Sequence, residues 1–424
     1  MKKTVLLILA AVCISLLGGC SQGVITQVPV QTAAPAGPAY FERMALGCRV
    51  DRYELGAGFS YGYYPGGAGL RSADGTAQNR GTRWEPYALK DGSLEKIPVR
   101  RCRTDYSFGS RDYPIDFEWC VSGGKAVITY LSAGAERDCF TVLDSSDPEH
   151  VVLGLIGPPP DGGVNMYPVE LNLYTQEISD RFAPFGLSGM DGIVSCTLTP
   201  DGSAAVLLRS TGSASELWYC DFASGERHEL FSLLDLMLYE GPYFHVLDGS
   251  VIVWEPYRVG YDGSRGEEYY LCNVWNISAP ELTVQEVYSG PYSVRRTVGG
   301  DGDGVVYQLL MGSRYALSAG EGGWWGIDLT TGVRFPVMAA EEREMQASYS
   351  LLPSPGGGRA LLNSYGGSGQ LVIDFEGRAV YELTPPEGTS RPDAYWLDGD
   401  RLAFSSRTED GGIILRVYTL NMPS

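Results

Sequence analysis

The sequence predicts an all-β fold, a β-propeller of four-stranded antiparallel blades; seven blades are expected, with six or eight as alternatives. Three observations carry this. From residue 44 onward, apolar runs of four to eight residues alternate with Asp-Gly and Ser/Thr-Gly pairs; such runs read as buried strands and such pairs as tight turns. The runs and turns return in one fixed order. Taking Ala204, Ser250, Val305, Ala360 and Leu402 as equivalent positions gives spacings of 46, 55, 55 and 42 residues, near the roughly 40–50 of propeller blades. A tandem of β-sandwiches would share the short strands but not one ordered signature at near-constant spacing. Helical solenoids would need a 3.6-residue apolar period that these windows lack.

Taken in order, the chain opens on Met1-Lys2-Lys3, followed by Val5–Leu17, apolar except for Ser15. This is the pattern of an export signal, and its apolar stretch is shorter than the roughly 20 residues of a spanning helix. Leu17-Gly18-Gly19-Cys20 resembles the bacterial lipobox: an aliphatic residue, two small residues and a cysteine. The resemblance implies that cleavage precedes Cys20 and that Cys20 carries the lipid attachment. Residues 21–40 hold no charge and are rich in Pro, Ala, Gln and Thr, the composition of a flexible tether. The expected division is residues 1–19 as lipoprotein signal peptide, 20–43 as lipidated cysteine and tether, and 44–424 as propeller. The expected location is a bacterial cell membrane, facing outside the cytoplasm, and the outer membrane in a Gram-negative cell.

The clearest repeat begins at Thr199-Pro200-Asp201-Gly202, runs through Ser203–Leu208 and Glu216–Phe222, and turns at Ala223-Ser224-Gly225 into Arg227–Leu230. The order returns at 351–364 with 370–383, at 245–256 with 269–287, at 299–310 with 324–337, and at 395–406 with 413–420. Upstream, 119–132 is read with 138–154, and 84–99 as the later half of another copy. The stretch 155–190 ends like a blade but shows no clear start. The Ser/Thr-Pro-Asp-Gly hairpin, the Leu-Trp/Tyr-x-x-Asp strand and the Thr/Ser-Gly turn resemble the TolB-type, WD-like propeller repeat over about residues 80–421. Asp248-Gly249 and Asp398-Gly399 lack its proline, and Gly123-Gly124 lacks its aspartate. The last copy ends after its third strand, so a segment near Ala45–Leu55 is expected to supply the fourth and close the ring.

Composition narrows the function. The 55 glycines and 25 prolines of 424 residues fall short of the roughly 25–30% that marks low-complexity chains. A formal charge of −19 opposes a phosphate backbone, so no nucleic-acid partner is expected. Loss of Lys2 and Lys3 with the signal makes the body two charges more negative, so the lipid rather than the surface holds it at a membrane. Three histidines, His150, His228 and His245, lie in separate repeats, and no Cys-x-x-Cys occurs; no metal, no cofactor and no triad is expected. Seven cysteines follow Cys20, an odd number, and Cys139, Cys220 and Cys272 sit in apolar runs that suit buried thiols.

Gly58-Phe59-Ser60-Tyr61-Gly62 satisfies the G-x-S-x-G elbow pattern, but the Gly- and Pro-rich residues that follow cannot start the helix that elbow needs. Asp301-Gly302-Asp303-Gly304 lacks the later ligands of a calcium loop and reads as a turn. Neither is expected to be catalytic. The 27 tyrosines and 8 tryptophans include clusters at Tyr61, Tyr63 and Tyr64 and at Trp324-Trp325; blade packing accounts for most of them. The long segment 255–268 after Trp254 is the expected binding rim, with Trp254, Tyr257, Arg258 and Tyr261 as its contact residues. The expected role is a membrane-anchored binding or scaffolding propeller with a protein or glycan partner. The alternative is a carbohydrate-active or other hydrolytic propeller using paired carboxylates around the channel.

Overall fold

The structure, a computed structural model, describes residues 40–420 apart from 46–47, 56–58, 65–66, 79–80, 91–92, 110, 132–139, 157–165, 188–191, 211–213, 235–241, 263–266, 280, 299–301, 321–322, 340–348, 365–369 and 384–392. The signal, Cys20 and most of the tether lie outside these residues, as does Cys139.

Side-chain alternation along the strands decides the architecture. In the sheet of Ile193–Leu198, Ala204–Ser210, Ala214–Asp221 and Glu226–Leu234, Ala205, Leu207, Trp218 and Cys220 pack toward the preceding sheet. Ala204, Val206, Leu217 and Tyr219 pack toward the following one. Successive residues of a strand face opposite sides, so a sheet apolar on both sides must be flanked by two others. The described strands form six hydrogen-bonded sheets, two of them eight-stranded; dividing each of those two in half gives eight antiparallel units: 59–96, 100–131, 140–179, 193–234, 243–298, 302–338, 349–383, and 393–420 completed by 48–55. We number these blades one to eight. Blade two shows three strands and the others four or more.

The blades meet face to face in sequence. One core joins blades two, three and four, and further cores join four to five, five to six, six to seven and seven to eight. Ala403, Leu415 and Val417 of blade eight pack with Tyr87, Leu89 and Leu94 of blade one, and Ile97 packs on Cys120 and Val127 of blade two. That succession returns to its start, so the blades form a closed ring, a β-propeller. A fully buried side chain such as Phe404 or Leu207 contributes roughly 1.5–3 kcal/mol.

Closure uses the N-terminal strand, as the sequence predicts. Cys48–Leu55 runs antiparallel to Ile413–Leu420 over its whole length, from Cys48 opposite Leu420 to Leu55 opposite Ile413. A second element precedes it: Glu42–Ala45 adds a parallel fifth strand to Ala379–Leu383 of blade seven. Before it, the Phe41 amide donates to the Val337 carbonyl of blade six at 2.9 Å, and the Phe41 ring stacks on Phe335. Residues 41–55 therefore latch three consecutive blades.

Two expectations are corrected. Eight blades form, one of the two alternatives to the preferred seven, because Phe140–Asp144 opens a blade of its own. It pairs with Val151–Ile156, which leads to Met166–Leu171 and Ile178–Ser179 and so supplies the missing start of 155–190. The confusion has a chemical source: Asp144 accepts from the amide and hydroxyl of Ser146, the same local turn that ends the third strand in other blades. The second correction concerns 255–268. Its described residues, 255–262 and 267–268, lie in paired strands of a long hairpin, Ser250–Asp262 with Glu267–Ser278.

The repeated turns explain the repeated residues. At Thr199–Gly202 the Gly202 amide donates to the Thr199 carbonyl at 2.8 Å, with Gly202 at φ 66°, and the Ala204 amide donates to Thr199 Oγ1 at 3.0 Å. Ser354–Gly357 repeats this arrangement in blade seven. At the end of the third strand, Asn172, Asp221, Asp328 and Asp374 each accept an amide from the turn that follows. The residue four positions on, Gln176, Gly225, Gly332 or Arg378, has positive φ.

Candidate functional site

Two surface features stand out. The first is the predicted rim. The blade-five hairpin has strands of 13 and 12 residues, whereas the matching strands of blades six and seven have five or six. Its inner half is core. Trp254 is only 8% exposed, stacks on Tyr243 and lies against His245, so it is a packing residue and not part of a rim. Tyr257 is half-buried. Farther out, Val259 and Tyr261 are 56% and 61% exposed, the highest values among the exposed large apolar side chains of the described residues. The Arg258 backbone lies between them, opposite Tyr270. At the base, Glu255 is buried and accepts from the Asn273 amide at 3.2 Å, and burial raises its carboxyl above the usual range against that hydrogen bond. The hairpin runs from a buried, hydrogen-bonded base out to two exposed apolar side chains, Val259 and Tyr261, set among polar residues.

The second feature was not legible in the sequence. Where blade eight faces blade one, the wall grades from apolar to polar along the strands. Leu415 and Ala403 are fully buried. Farther along the same face come Asp51 opposite Val417, then Arg49 opposite Thr419, with Arg401 on the other side of Thr419. These residues, with Tyr53 and with Leu89 of blade one, line a cleft of about 270 Å³. Arg49 pairs with Asp51 at 3.0 Å, and Arg401 pairs with Asp398 at 2.7 Å. Burial and the Asp51 carboxylate push the Tyr53 hydroxyl up, while Arg49 and Arg401 draw it down. The cleft brings together residues some 350 positions apart, joined only by ring closure.

Other sequence candidates are placed by the same structure. Ser60 lies within Phe59–Tyr64, opposite Arg71, in a strand pair, which is not the strand-to-helix turn of a nucleophile elbow. Gly302–Gly304 sit in a hairpin against Arg296–Val298; Asp301 lies outside the described residues, as do the side chains of Tyr61, Tyr63 and Tyr64. Trp324 is buried against Tyr349. His150 lies 3.1 Å from Glu170, and burial lowers the His245 pKa. The six described cysteines are free thiols. Burial pushes Cys102 and Cys120 up to about 11 and Cys220 and Cys272 up to about 12, the behaviour of packing groups rather than nucleophiles.

No family model and no curated protein matches the chain. Among solved structures it is similar to TolB from Acinetobacter baumannii, at 13% identity and a TM-score of 0.27, over 76% of this chain and 80% of that one. It is also similar to the β-propeller domain of the trilobed protease from Pyrococcus furiosus, at 12% and 0.35, over 62% and 75%. A dihydro-heme d1 dehydrogenase is similar at 13% and 0.39, over 83% and 75%. At these scores nothing of their activities passes to this chain, and the propeller rests on its own sheets and cores.

Proposed function

We propose that this chain is an extracytoplasmic lipoprotein whose propeller is a binding or scaffolding module, with the blade-five hairpin as its contact element for a protein partner of the cell envelope. The observation that carries the reading is the pair Val259 and Tyr261, exposed on a long, paired hairpin whose base is packed into the core. Aromatic and apolar side chains on a rigid element bind with little loss of conformational freedom. A tether from Cys20 would enter the ring at residues 41–55, whose strands pair with blades seven and eight. An acidic body on an uncharged tether would stand off an anionic bilayer rather than lie on it.

Two experiments test the halves separately. Cys20→Ala releases the protein from the membrane fraction; a variant that stays there overturns lipid anchoring. Cross-linking in intact cells, followed by purification, yields a defined adduct with the native chain and loses it in the double variant Val259→Ser, Tyr261→Ser. An adduct of equal yield from that variant, with unchanged circular dichroism, removes the hairpin from the reading.

A further inference from the structure

We propose that the cleft between blades eight and one binds a small organic oxyanion, a carboxylate or phosphate carried on a short apolar body. The donors are already in place. Arg49 and Arg401 flank Thr419 at one register position on one face of the sheet. Each spends only part of its guanidinium on its own carboxylate: Arg49 uses Nε and one Nη on Asp51 Oδ1, and Arg401 uses Nε on Asp398 Oδ2. A guanidinium has five N–H donors in a planar fork, so both keep donors for a ligand, and planar forks suit carboxylate and phosphate oxygens. Tyr53 and Thr419, each with a hydroxyl, line the same space.

Charge and size define the ligand further. The cleft's two guanidinium groups are each balanced by a carboxylate, Arg49 by Asp51 and Arg401 by Asp398, so their unused N–H donors and not a net charge would hold a ligand on a chain of formal charge −19. The surrounding negative field opposes an extended polyanion, whereas a single small oxyanion needs only the two guanidinium edges that the aspartates leave unused. Leu89 and Val417 supply an apolar wall beside the donors, where a short hydrocarbon body would lie. About 270 Å³ is just below the roughly 300–1,000 Å³ of sites for drug-sized ligands, so the body is small. The site spans the ring seam, so a bound ligand would bridge Cys48–Leu55, Ile413–Leu420 and blade one.

Titration calorimetry with benzoate, phenyl phosphate and the uncharged benzyl alcohol tests this on the whole soluble chain, 21–424. The expected result is saturable binding of benzoate or phenyl phosphate, the stronger of the two identifying the oxyanion, with benzyl alcohol at least tenfold weaker. Arg401→Lys keeps the charge but loses the fork, and weakens binding about tenfold; Thr419→Val keeps shape and strand preference, and weakens it severalfold. Unchanged thermal midpoints show that both variants fold. Absence of binding by both anions up to about 10 mM, where even millimolar affinity registers, overturns the proposal. So does equal binding of benzyl alcohol, or affinity unchanged in both variants. The Val259→Ser, Tyr261→Ser protein binds as the native chain does, which separates this site from the hairpin.

Discussion

Asp201 and Glu255 are carboxylates driven in opposite directions by their settings. The Thr199 hydroxyl, then the amide and hydroxyl of Ser203, donate to Asp201 and hold its carboxyl at about 2. Its folded pKa lies below the roughly 3.9 of an unfolded aspartate, so it contributes stability above about pH 4 that is lost as pH falls toward 2. Glu255 is raised by burial, with the Asn273 amide opposing. A raised carboxyl favours folding at low pH, and that contribution disappears as pH rises through the folded pKa. Urea unfolding therefore separates two amide variants by sign. Asp201→Asn loses about 1 kcal/mol at pH 7, the difference between charged and neutral hydrogen bonds, and the gap to the native chain closes between about pH 4 and pH 2. Glu255→Gln, which keeps an acceptor for Asn273, gains stability at pH 7, and its gap closes as pH falls through the folded pKa and is gone by about pH 4. Two gaps of the same sign at pH 7 would show that these settings are misread.

Among the turns, the third-to-fourth-strand crossing shows how local strain and blade contact offset each other. It places a positive φ at Gln176, Gly225, Leu282, Gly332 and Arg378 in five blades. Glycine takes this conformation freely, while other L-residues lose about 1–2 kcal/mol. Each of the three non-glycines has an outward contact that the glycines lack. Gln176 Oε1 accepts from the Arg103 amide of blade two at 2.9 Å, Leu282 packs in the core between blades four and five, and Arg378 lies over the Phe41 ring of the latch at 5.2 Å. Replacing any of them by alanine removes the contact and keeps the strain; replacing it by glycine removes both. Thermal or urea unfolding is expected to find each alanine variant about 1 kcal/mol less stable than its glycine counterpart, the reverse of the usual order within a strand. The aspartates and Gly225 or Gly332 of these turns are legible in sequence because their side-chain chemistry repeats. Gln176, Leu282 and Arg378 are not, because their justification lies in a neighbouring blade. The same limit misread 138–154, whose Asp-Ser-Ser turn fits either end of a blade, and hid the length of the blade-five hairpin behind polar residues that look like loop.

Ring closure is the property of the molecule as a whole, and its main half was legible from one local fact, the missing fourth strand after Leu420. The parallel strand Glu42–Ala45 and the cleft were not, since both arise only once distant segments meet. Closure pairs residue 48 with residue 420, so the latch must find its place across nearly the whole chain, a slow search by contact-order reasoning. That arrangement can be inverted without altering a core. Because Cys48 lies opposite Leu420 in an antiparallel pair, a flexible linker from Ser424 to Tyr40, with new termini between Leu55 and Phe59, converts the latch into a hairpin of blade eight. Blade one then loses its covalent link to the latch and is held to blade eight by packing, among the described residues that of Leu89, Leu94 and Tyr87 against Ala403, Leu415 and Val417. The permutant is expected to fold faster than the native chain while blade one opens first, its amides exchanging hydrogen well below the global unfolding free energy. Deleting residues 41–55 instead removes the partner of Ile413–Leu420 and bares an edge strand, so that protein is expected to aggregate. A permutant whose blade-one amides exchange only on global unfolding would mean that the seam between blades eight and one holds without the covalent link, and that the latch is needed for the sheet edge alone.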